Sequence, residues 1–254
     1  MVLGAAWRMT GLLANLALGG AVFLGAATQR ISGMGFALVA SPFLVALLGP
    51  FDGVVLINLL GALTAFTLFA ATWRRVEYRR VGLLLVPAVI AALPGALVAR
   101  FVPSAILSVV VGVLVVLTLV GSFFAVSNVR MMGRGGALLA GSVSGFMSAS
   151  AGVGGPAISA YAIAIRWPQP AFAVTVQPYF CALAITSLAF KGALPQLAWA
   201  GWVSCAVALA LGLLAGHLLA GVVKPRAARI LVIALAFAGA AVIIVKGVVE
   251  LWAS

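Results

Sequence analysis

The sequence predicts an all-α polytopic membrane protein built from two inverted repeats of five segments each. Composition is the first reason: 65% of the 254 residues are hydrophobic, 7% are charged and the mean hydropathy is +1.30. Soluble domains carry roughly 25% charged residues, so a soluble fold is excluded. The apolar runs have helical length and lack the alternation of membrane β-strands. The other reasons are an internal repeat and a glycine-rich interruption in each half of the chain.

Ten apolar segments follow one another along the chain, and a polar stretch from Ser127 to Arg134 separates the first five from the second five. The predicted segments are 9–28, 33–49, 53–73, 81–99 and 104–126, then 136–151, 155–165, 170–190, 197–221 and 227–249. Five segments followed by five in the same order indicate an internal repeat. We therefore predict a first transmembrane repeat at residues 1–126, a cytoplasmic link at 127–135 and a second repeat at 136–254.

A shared offset of 119 residues aligns the two halves. It places Gly33 over Gly152, Gly35 over Gly154, Asn58 over Gln177 and Thr67 over Thr186. Polar amides inside apolar helices need hydrogen-bond partners, so the coincidence of Asn58 and Gln177 is informative. Because each repeat has an odd number of segments, the second repeat is inverted relative to the first. Inverted repeats are a recurring architecture of secondary transporters.

The first two segments of each repeat are predicted to form a hairpin that enters and leaves on the same side. A helix rises about 1.5 Å per residue, so crossing a hydrocarbon core of roughly 30 Å takes about 20 residues. Segments 136–151 and 155–165 are shorter and are predicted to be half-helices that turn at Gly152 to Pro156. Segments 9–28 and 33–49 are longer, so their hairpin is expected to cross further or to tilt.

Basic residues predict how the chain is oriented. Ten fall on one face of this arrangement and four on the other, which indicates a cytoplasmic richer face and periplasmic termini. The ten are Arg74, Arg75, Arg79, Arg80, Arg130, Arg134, Arg166, Lys224, Arg226 and Arg229, and the four are Arg8, Arg100, Lys191 and Lys246. We therefore interpret the net charge of +12 as a topology signal and not as a nucleic-acid-binding surface.

The two glycine-rich interruptions form the predicted binding site. They are Ser32-Gly33-Met34-Gly35-Phe36 and Gly152-Val153-Gly154-Gly155-Pro156. Glycine and proline interrupt helices, and irregular backbone within a membrane is tolerated where it is buried or lines a cavity. A helix that begins at each interruption presents unpaired N–H groups and a partial positive charge, which both suit an anion. In inverted repeats these two helix N-termini point at one central site.

Polar side chains are expected to complete an oxyanion site there. The predicted set is Arg30, Ser32, Gly33, Gly35, Asn58, Ser150, Gly152, Gly154, Gly155 and Gln177. Arg30 would supply a full positive charge, the serines hydroxyl groups, and Asn58 and Gln177 amide groups. Each also has a purely structural interpretation. Glycines permit close helix packing, an arginine can snorkel to an interface, and amides can bond a neighbouring helix.

The scarcity of acids and metal ligands excludes other classes of protein. The acids are Asp52, Glu77 and Glu250, all at segment ends or in a loop. No carboxylate is left within the membrane to carry a coupling proton, which favours an anion carrier that is passive, driven by substrate protonation, or coupled to an ion held by carbonyls. One histidine and two cysteines make no convincing metal or catalytic cluster. We therefore predict no enzyme activity, no metal and no cofactor.

These residues resemble the TauE/SafE sulfite exporter family. The stretch from Ile31 to Pro42 is similar to its first signature, a glycine cluster followed by a proline, although Met34 and Phe36 interrupt the glycines. Gly152 to Pro156, with Tyr161 following, is similar to its second signature. The ten-segment plan and the chain length also fit, so the resemblance covers nearly the whole chain.

The resemblance implies transport of sulfite, sulfoacetate or another organosulfonate across the bacterial inner membrane. It also implies substrate contacts at Gly33, Gly35, Gly152, Gly154 and Gly155, with Asn58 and Gln177 beside them. Two alternatives stay open: a carrier of another organic or inorganic anion, and a membrane assembly subunit that transports nothing. The expected partners are a small anionic substrate and the lipid bilayer, without nucleic acid, and a homodimer is compatible with this plan.

Overall fold

The computed structural model describes residues 11–32, 35–124, 133–219 and 225–252. Within these ranges the chain forms ten α-helices and one 3₁₀ turn, Trp73–Arg75, and no β-strand. The helices of the first half are α1 Leu12–Ser32, α2 Phe36–Leu48, α3 Pro50–Thr72, α4 Tyr78–Phe101 and α5 Ser104–Phe124. Those of the second half are α6 Gly133–Ala151, α7 Gly155–Ala164, α8 Gln169–Lys191, α9 Trp199–Leu219 and α10 Pro225–Trp252. The prediction of an all-α fold is confirmed, with one helix for each predicted segment.

Six of these helices, α1, α3, α4, α8, α9 and α10, contain stretches long and apolar enough to cross a membrane. The stretches are Leu12–Ile31, Pro50–Arg75, Tyr78–Phe101, Gln169–Lys191, Trp199–Leu219 and Ile233–Trp252. Helices α2 and α7, with 13 and 10 residues, fall short of the length that crossing requires. The chain is therefore a multi-pass membrane protein that also contains short helices.

Helix α6 is longer than the sequence predicts. The predicted half-helix 136–151 is a helix of 19 residues, about 28 Å long, that begins at Gly133. An apolar pattern in the sequence reveals only the apolar part of a helix. Here the helix begins earlier, with exposed residues that are not apolar and that the pattern therefore did not include. Gly133 to Gly135, the last residues of the predicted link, are thus helical, and residues 125–132 lie outside the described residues. In the second hairpin, only α7 has the length of a half-helix.

Helices α4 and α6 run side by side in the same direction and approach each other closely. A Cβ atom added at Gly95 of α4 would lie 2.5 Å from the carbonyl oxygen of Phe146, and one at Gly145 of α6 would overlap the backbone of Ala88. Glycines of this kind let membrane helices approach to backbone contact. The glycines of α4 and α6 therefore fix the position of the C-terminal end of α6 against α4.

Helices α1 and α9 form a second close pair of the same kind. A Cβ atom at Gly212 would lie 2.6 Å from the carbonyl oxygen of Phe23, and one at Gly216 would lie 2.7 Å from that of Ala27. Both contacts advance in the same direction along the two helices, so α1 and α9 are parallel. This pair fixes the position of the last turn of α1, just before the first glycine-rich interruption.

The two larger hydrophobic clusters of the interior each draw on both halves of the chain. In the first cluster, α1, α2 and α3 pack with Cys205 and Ala208 of α9. In the second cluster, α6, α7 and α8 pack with buried residues of α4 such as Leu84 and Ala88. The two halves therefore interlock, because α4 packs within the second half and α9 within the first.

A polar cluster joins the start of α4 to the start of α8. Glu77 pairs with Arg80 at 2.8 Å and accepts a hydrogen bond of 3.1 Å from Nε1 of Trp167. The guanidinium of Arg80 lies 4.4 Å from the centre of the Trp167 ring, and the Glu77 N–H donates to Oγ1 of Thr175 at 3.2 Å. Glu77 lies a few residues after the end of α3, and its contacts are with residues at the start of α8. The end of α3 is therefore close to the start of α8, and the two helices run antiparallel.

The contact between α4 and α6 can be tested with Gly145→Ala. We expect this change to lower the unfolding free energy by about 1–3 kcal/mol, the usual cost of overpacking, because the added methyl group meets the Ala88 backbone. The matched control is Gly135→Ala on the same helix, where an added Cβ meets nothing within 4 Å. Thermal unfolding in detergent measures both. Equal stability of the two variants would contradict the close approach.

Candidate anion-binding site

A cavity of about 70 Å³ lies where the two glycine-rich interruptions meet. The first residues of α2 and the turn before α7 line it from two sides, and α1, α3, α6 and α8 complete the wall. The lining residues are Gln29, Gly35, Phe36, Ala37, Leu38, Ile57, Asn58, Gly61, Thr64, Ser148, Gly152, Val153, Gly154, Gly155, Phe180 and Ala184. The N-termini of α2 and α7 thus share one cavity, formed by residues from both halves of a single chain.

The N-terminus of α2 is capped by the side chain of Gln29 from the last turn of α1. Its Oε1 atom accepts hydrogen bonds from the N–H groups of Gly35 at 2.9 Å and Phe36 at 3.1 Å. A helix leaves its first four N–H groups without partners in the helix itself. Gln29 therefore satisfies N–H groups at this end, while the next two residues, Ala37 and Leu38, line the cavity.

The turn between α6 and α7 ends one helix and begins another. Gly152 adopts a positive φ of 74°, and its N–H donates to the Ser148 carbonyl at 3.0 Å while that of Val153 donates to Met147 at 3.3 Å. The bond from Gly152 to Ser148 is the one that defines the αL motif of helix ends, which favours glycine at the left-handed position. Helix α7 then begins at Gly155 with a proline in its first turn. Gly154 and Gly155 line the cavity wall, so the N-terminus of α7 lies at the cavity.

Hydroxyl groups of α6 and α2 bond the carbonyl groups around this turn. Oγ of Ser144 donates to the carbonyl of Gly154 at 2.6 Å, and Oγ of Ser41 donates to that of Ala151 at 3.1 Å. An unpaired carbonyl in a membrane interior costs several kcal/mol, so these two hydroxyls stabilise the interruption. The bond from Ser41 also attaches α2 to the end of α6.

Two amide contacts connect the halves of the chain around the cavity. Nδ2 of Asn58 on α3 donates to the carbonyl of Ser148 on α6 at 3.4 Å. Nε2 of Gln29 on α1 donates to Oε1 of Gln177 on α8 at 3.2 Å. The same offset of 119 residues that places Asn58 over Gln177 places Gln29 over Ser148. The two contacts therefore join corresponding positions of the two halves.

The structure brings five members of the predicted site set together. Gly35, Asn58, Gly152, Gly154 and Gly155 all line the cavity. The amide of Asn58 also bonds a neighbouring helix, as the structural interpretation of that residue expects. The interruptions predicted from glycine and proline alone therefore do lie around a shared space.

Three members of the predicted set lie elsewhere. The guanidinium of Arg30 contacts Nδ1 of His217 at 2.9 Å on an exposed surface, because a step of one residue turns it about 100° away from Gln29 and toward α9. Oγ of Ser150 donates to the Phe146 carbonyl within its own helix at 2.7 Å. Gln177 bonds Gln29 behind the cavity wall. Gly33 and the side chain of Ser32 lie outside the described residues.

The sequence prediction missed Gln29, Ser148, Gly61 and Thr64. The repeat offset contained a signal for the first two, since it aligns Gln29 with Ser148. Helical spacing contained a signal for the others, since Gly61 and Thr64 follow Asn58 at intervals of three residues along one face of α3. A stripe of small and polar residues on an otherwise apolar helix therefore indicated the face of α3 that lines the cavity.

The lining is neutral and its polar groups are hydrogen-bond donors and acceptors without formal charge. Attraction for an anion must therefore come from the partial positive charge of the two helix N-termini and from amide and hydroxyl dipoles. A second cavity of about 300 Å³ between α3 and α9 is lined by apolar side chains such as Leu60, Trp202 and Leu209. It offers no group suited to hold an anion.

A family model described as "Sulfite exporter TauE/SafE" matches residues 18–243. The chain belongs to the TauE/SafE family. The matched region begins in α1 and ends in α10, so it includes both interruptions and the whole cavity lining. TauE/SafE proteins are transporters and not enzymes, which supports the prediction of a transmembrane transporter. No curated protein and no solved structure matches the chain.

The capping role of Gln29 in this TauE/SafE protein can be tested with Gln29→Leu. The change leaves the buried N–H groups of Gly35 and Phe36 without their acceptor, so we expect the unfolding free energy to fall by about 2–3 kcal/mol. The neighbouring Arg30→Gln, which affects only an exposed contact, should change it by less than about 1 kcal/mol. Thermal unfolding in detergent distinguishes them. A larger loss in Arg30→Gln would contradict this assignment.

Proposed function

We propose that this protein is a secondary transporter that moves sulfite or an organosulfonate anion through the cavity between α2 and α7. The observation that carries the proposal is the meeting of two helix N-termini in one cavity. Helix N-termini bind oxyanions through their free N–H groups and the aligned peptide dipoles. Membership of the TauE/SafE family supports the same class of substrate.

The size and charge of the cavity favour a compact anion. Its volume of about 70 Å³ is far below the roughly 300–1,000 Å³ of pockets for drug-sized ligands. No carboxylate is among the described residues that line it, so a bound anion meets no like charge from them. A sulfite or sulfonate group places three oxygen atoms on one small centre, which several converging N–H and hydroxyl donors can satisfy.

The pairing of helices supports an inverted repeat. If each helix of the first half corresponds to the helix five places later, α1 to α6 and so on, the packed pair α4–α6 corresponds to the packed pair α9–α1. The packed pairs α3–α8 and α5–α10 each correspond to themselves. At the level of residues, the contact of Asn58 with Ser148 corresponds to that of Gln177 with Gln29. Rocking of one repeat against the other around a central site would expose the cavity to each side in turn.

The distribution of arginines supports a cytoplasmic location for the polar cluster at Glu77. Arg74, Arg75, Arg79 and Arg80 lie at this end of the molecule, together with Arg166 before α8. Basic residues close to membrane helices favour the cytoplasmic side. With this orientation in the bacterial inner membrane, both termini of the chain are periplasmic.

Transport can be tested with substitutions at Gly61, which faces the cavity. An added Cβ at Gly61 meets only the Phe36 ring at 3.7 Å, whereas one at Gly154 would crowd the Ser144 backbone at 2.8 Å. We expect Gly61→Ala to raise the KM for sulfite or isethionate by about tenfold, the scale of one methyl group in a pocket, and Gly61→Leu to abolish flux. Uptake of labelled anion into proteoliposomes measures this.

The matched controls are Gly82→Ala and Gly82→Leu on the exposed face of α4, where an added Cβ meets nothing within 4 Å. Both should retain wild-type flux. Saturable flux of a different anion, with sulfite and sulfonates inert, would assign another substrate to the same cavity. Absence of flux for every anion tested would favour an assembly subunit and contradict the proposal.

A further inference from the structure

A buried lysine ends helix α8. The Lys191 side chain is 2% exposed, and its Nζ atom has no hydrogen-bond partner among the residues that the structure describes. Ser187, one helical turn earlier, is fully buried, and its Oγ atom likewise has no partner. These are two of the four buried side-chain polar atoms without partners in the described part of the chain, and they are neighbours on one helix.

Such an arrangement is costly unless a ligand completes it. A buried ammonium group loses several kcal/mol of hydration, which only an opposite charge or good acceptors restore. Within the described ranges, the ion pairs join Arg80 to Glu77 and Lys246 to Glu250, so no carboxylate lies within 4.0 Å of Lys191. Charged groups kept inside membrane helices commonly mark substrate pathways.

Helical geometry aligns this pair with the central cavity. Phe180 and Ala184 of α8 line the cavity, and Ser187 and Lys191 fall within the same arc of about 60° on that helix. Ser187 lies about one turn beyond Ala184, and Lys191 lies about 10 Å beyond it along the axis. The donors of Ser187 and Lys191 thus continue the cavity-facing stripe of α8 toward the end of the helix.

We propose that Lys191 and Ser187 form a second anion-binding site, which holds the transported oxyanion between the central cavity and one side of the membrane. The inference rests on the proposed transport of sulfite or a sulfonate. An ammonium group offers three donors on a compact charge, and the serine hydroxyl offers a fourth. Together they fit the oxygen atoms of a small oxyanion and compensate the buried charge.

The site belongs to one side of the membrane only. Lys191 lies about 24 Å along α8 from Thr175, which bonds Glu77 at the arginine-rich end of the molecule. An anion that arrives from the side of Lys191 would meet this site before the cavity. An anion from the arginine-rich side would meet it after the cavity.

The test is a KM measured separately from each side, in right-side-out and inside-out membrane vesicles with labelled sulfite. We expect Lys191→Met to raise the KM from the Lys191 side by about 10- to 100-fold, the scale of a lost hydrogen bond to a charged group, and to leave the other side within about twofold. Ser187→Ala should raise the same KM less, and Lys191→Arg should retain most of the affinity. The control Lys246→Met removes a partly exposed lysine that bonds the Ala46 carbonyl and should leave both KM values unchanged.

The outcomes separate this inference from the proposed function. If wild type shows normal flux and Lys191→Met has the same KM as wild type from both sides, the second site is overturned and the proposed function stands. If Lys191→Met also unfolds at a lower temperature, the lysine has a structural role instead. Absence of flux in wild type would overturn the proposed function and the second site with it.

A measurement in phosphatidylcholine proteoliposomes, which lack anionic lipid, tests whether Lys191 binds the transported anion or a lipid. If Lys191→Met still raises the KM there, the lysine binds the transported anion. Loss of the effect there would assign the lysine to the headgroup of an anionic lipid and contradict the second site.

Discussion

The fold depends on one constraint: backbone groups at helix ends inside a membrane must find hydrogen-bond partners within the protein. Helix α6 ends, and helices α2 and α7 begin, at or next to buried residues that water does not reach. Gln29 caps the start of α2, and Ser144 and Ser41 bond carbonyl groups around the turn before α7. These three side chains make a pair of interrupted helices stable enough to surround a cavity.

The interlocked packing follows from the same need. A side chain can cap a neighbouring helix only when the relative position of the two helices is fixed to within a fraction of an ångström. Glycines such as Gly145 and Gly216 bring α6 against α4 and α1 against α9 at backbone contact, which fixes both interruptions. Each interruption is therefore positioned by a helix from the other half of the chain. The cavity between them is a property of the whole molecule, and neither half contains it alone.

The candidate site illustrates how far residue patterns reach. Glycines that interrupt helices were recognisable because glycine adopts a left-handed turn or permits a close backbone approach at the lowest cost, and Gly152 adopts such a turn. Charged and amide side chains were harder to place, because adjacent residues of a helix point about 100° apart. The sequence favoured Arg30, whereas Gln29 lies at the cavity and Arg30 contacts His217.

The class of fold, the number and order of the described helices, and the two interruptions could all be predicted from the residues, because these features depend on local composition, length and backbone preference. The sequence also carried the TauE/SafE signatures. Three features required the folded chain: α4 and α9 pack with the opposite halves, Gln29 caps α2, and Lys191 is buried with no partner among the described residues. Those features depend on which faces of distant helices meet, and hydrophobicity around a helix that is apolar on nearly every side does not specify its neighbours.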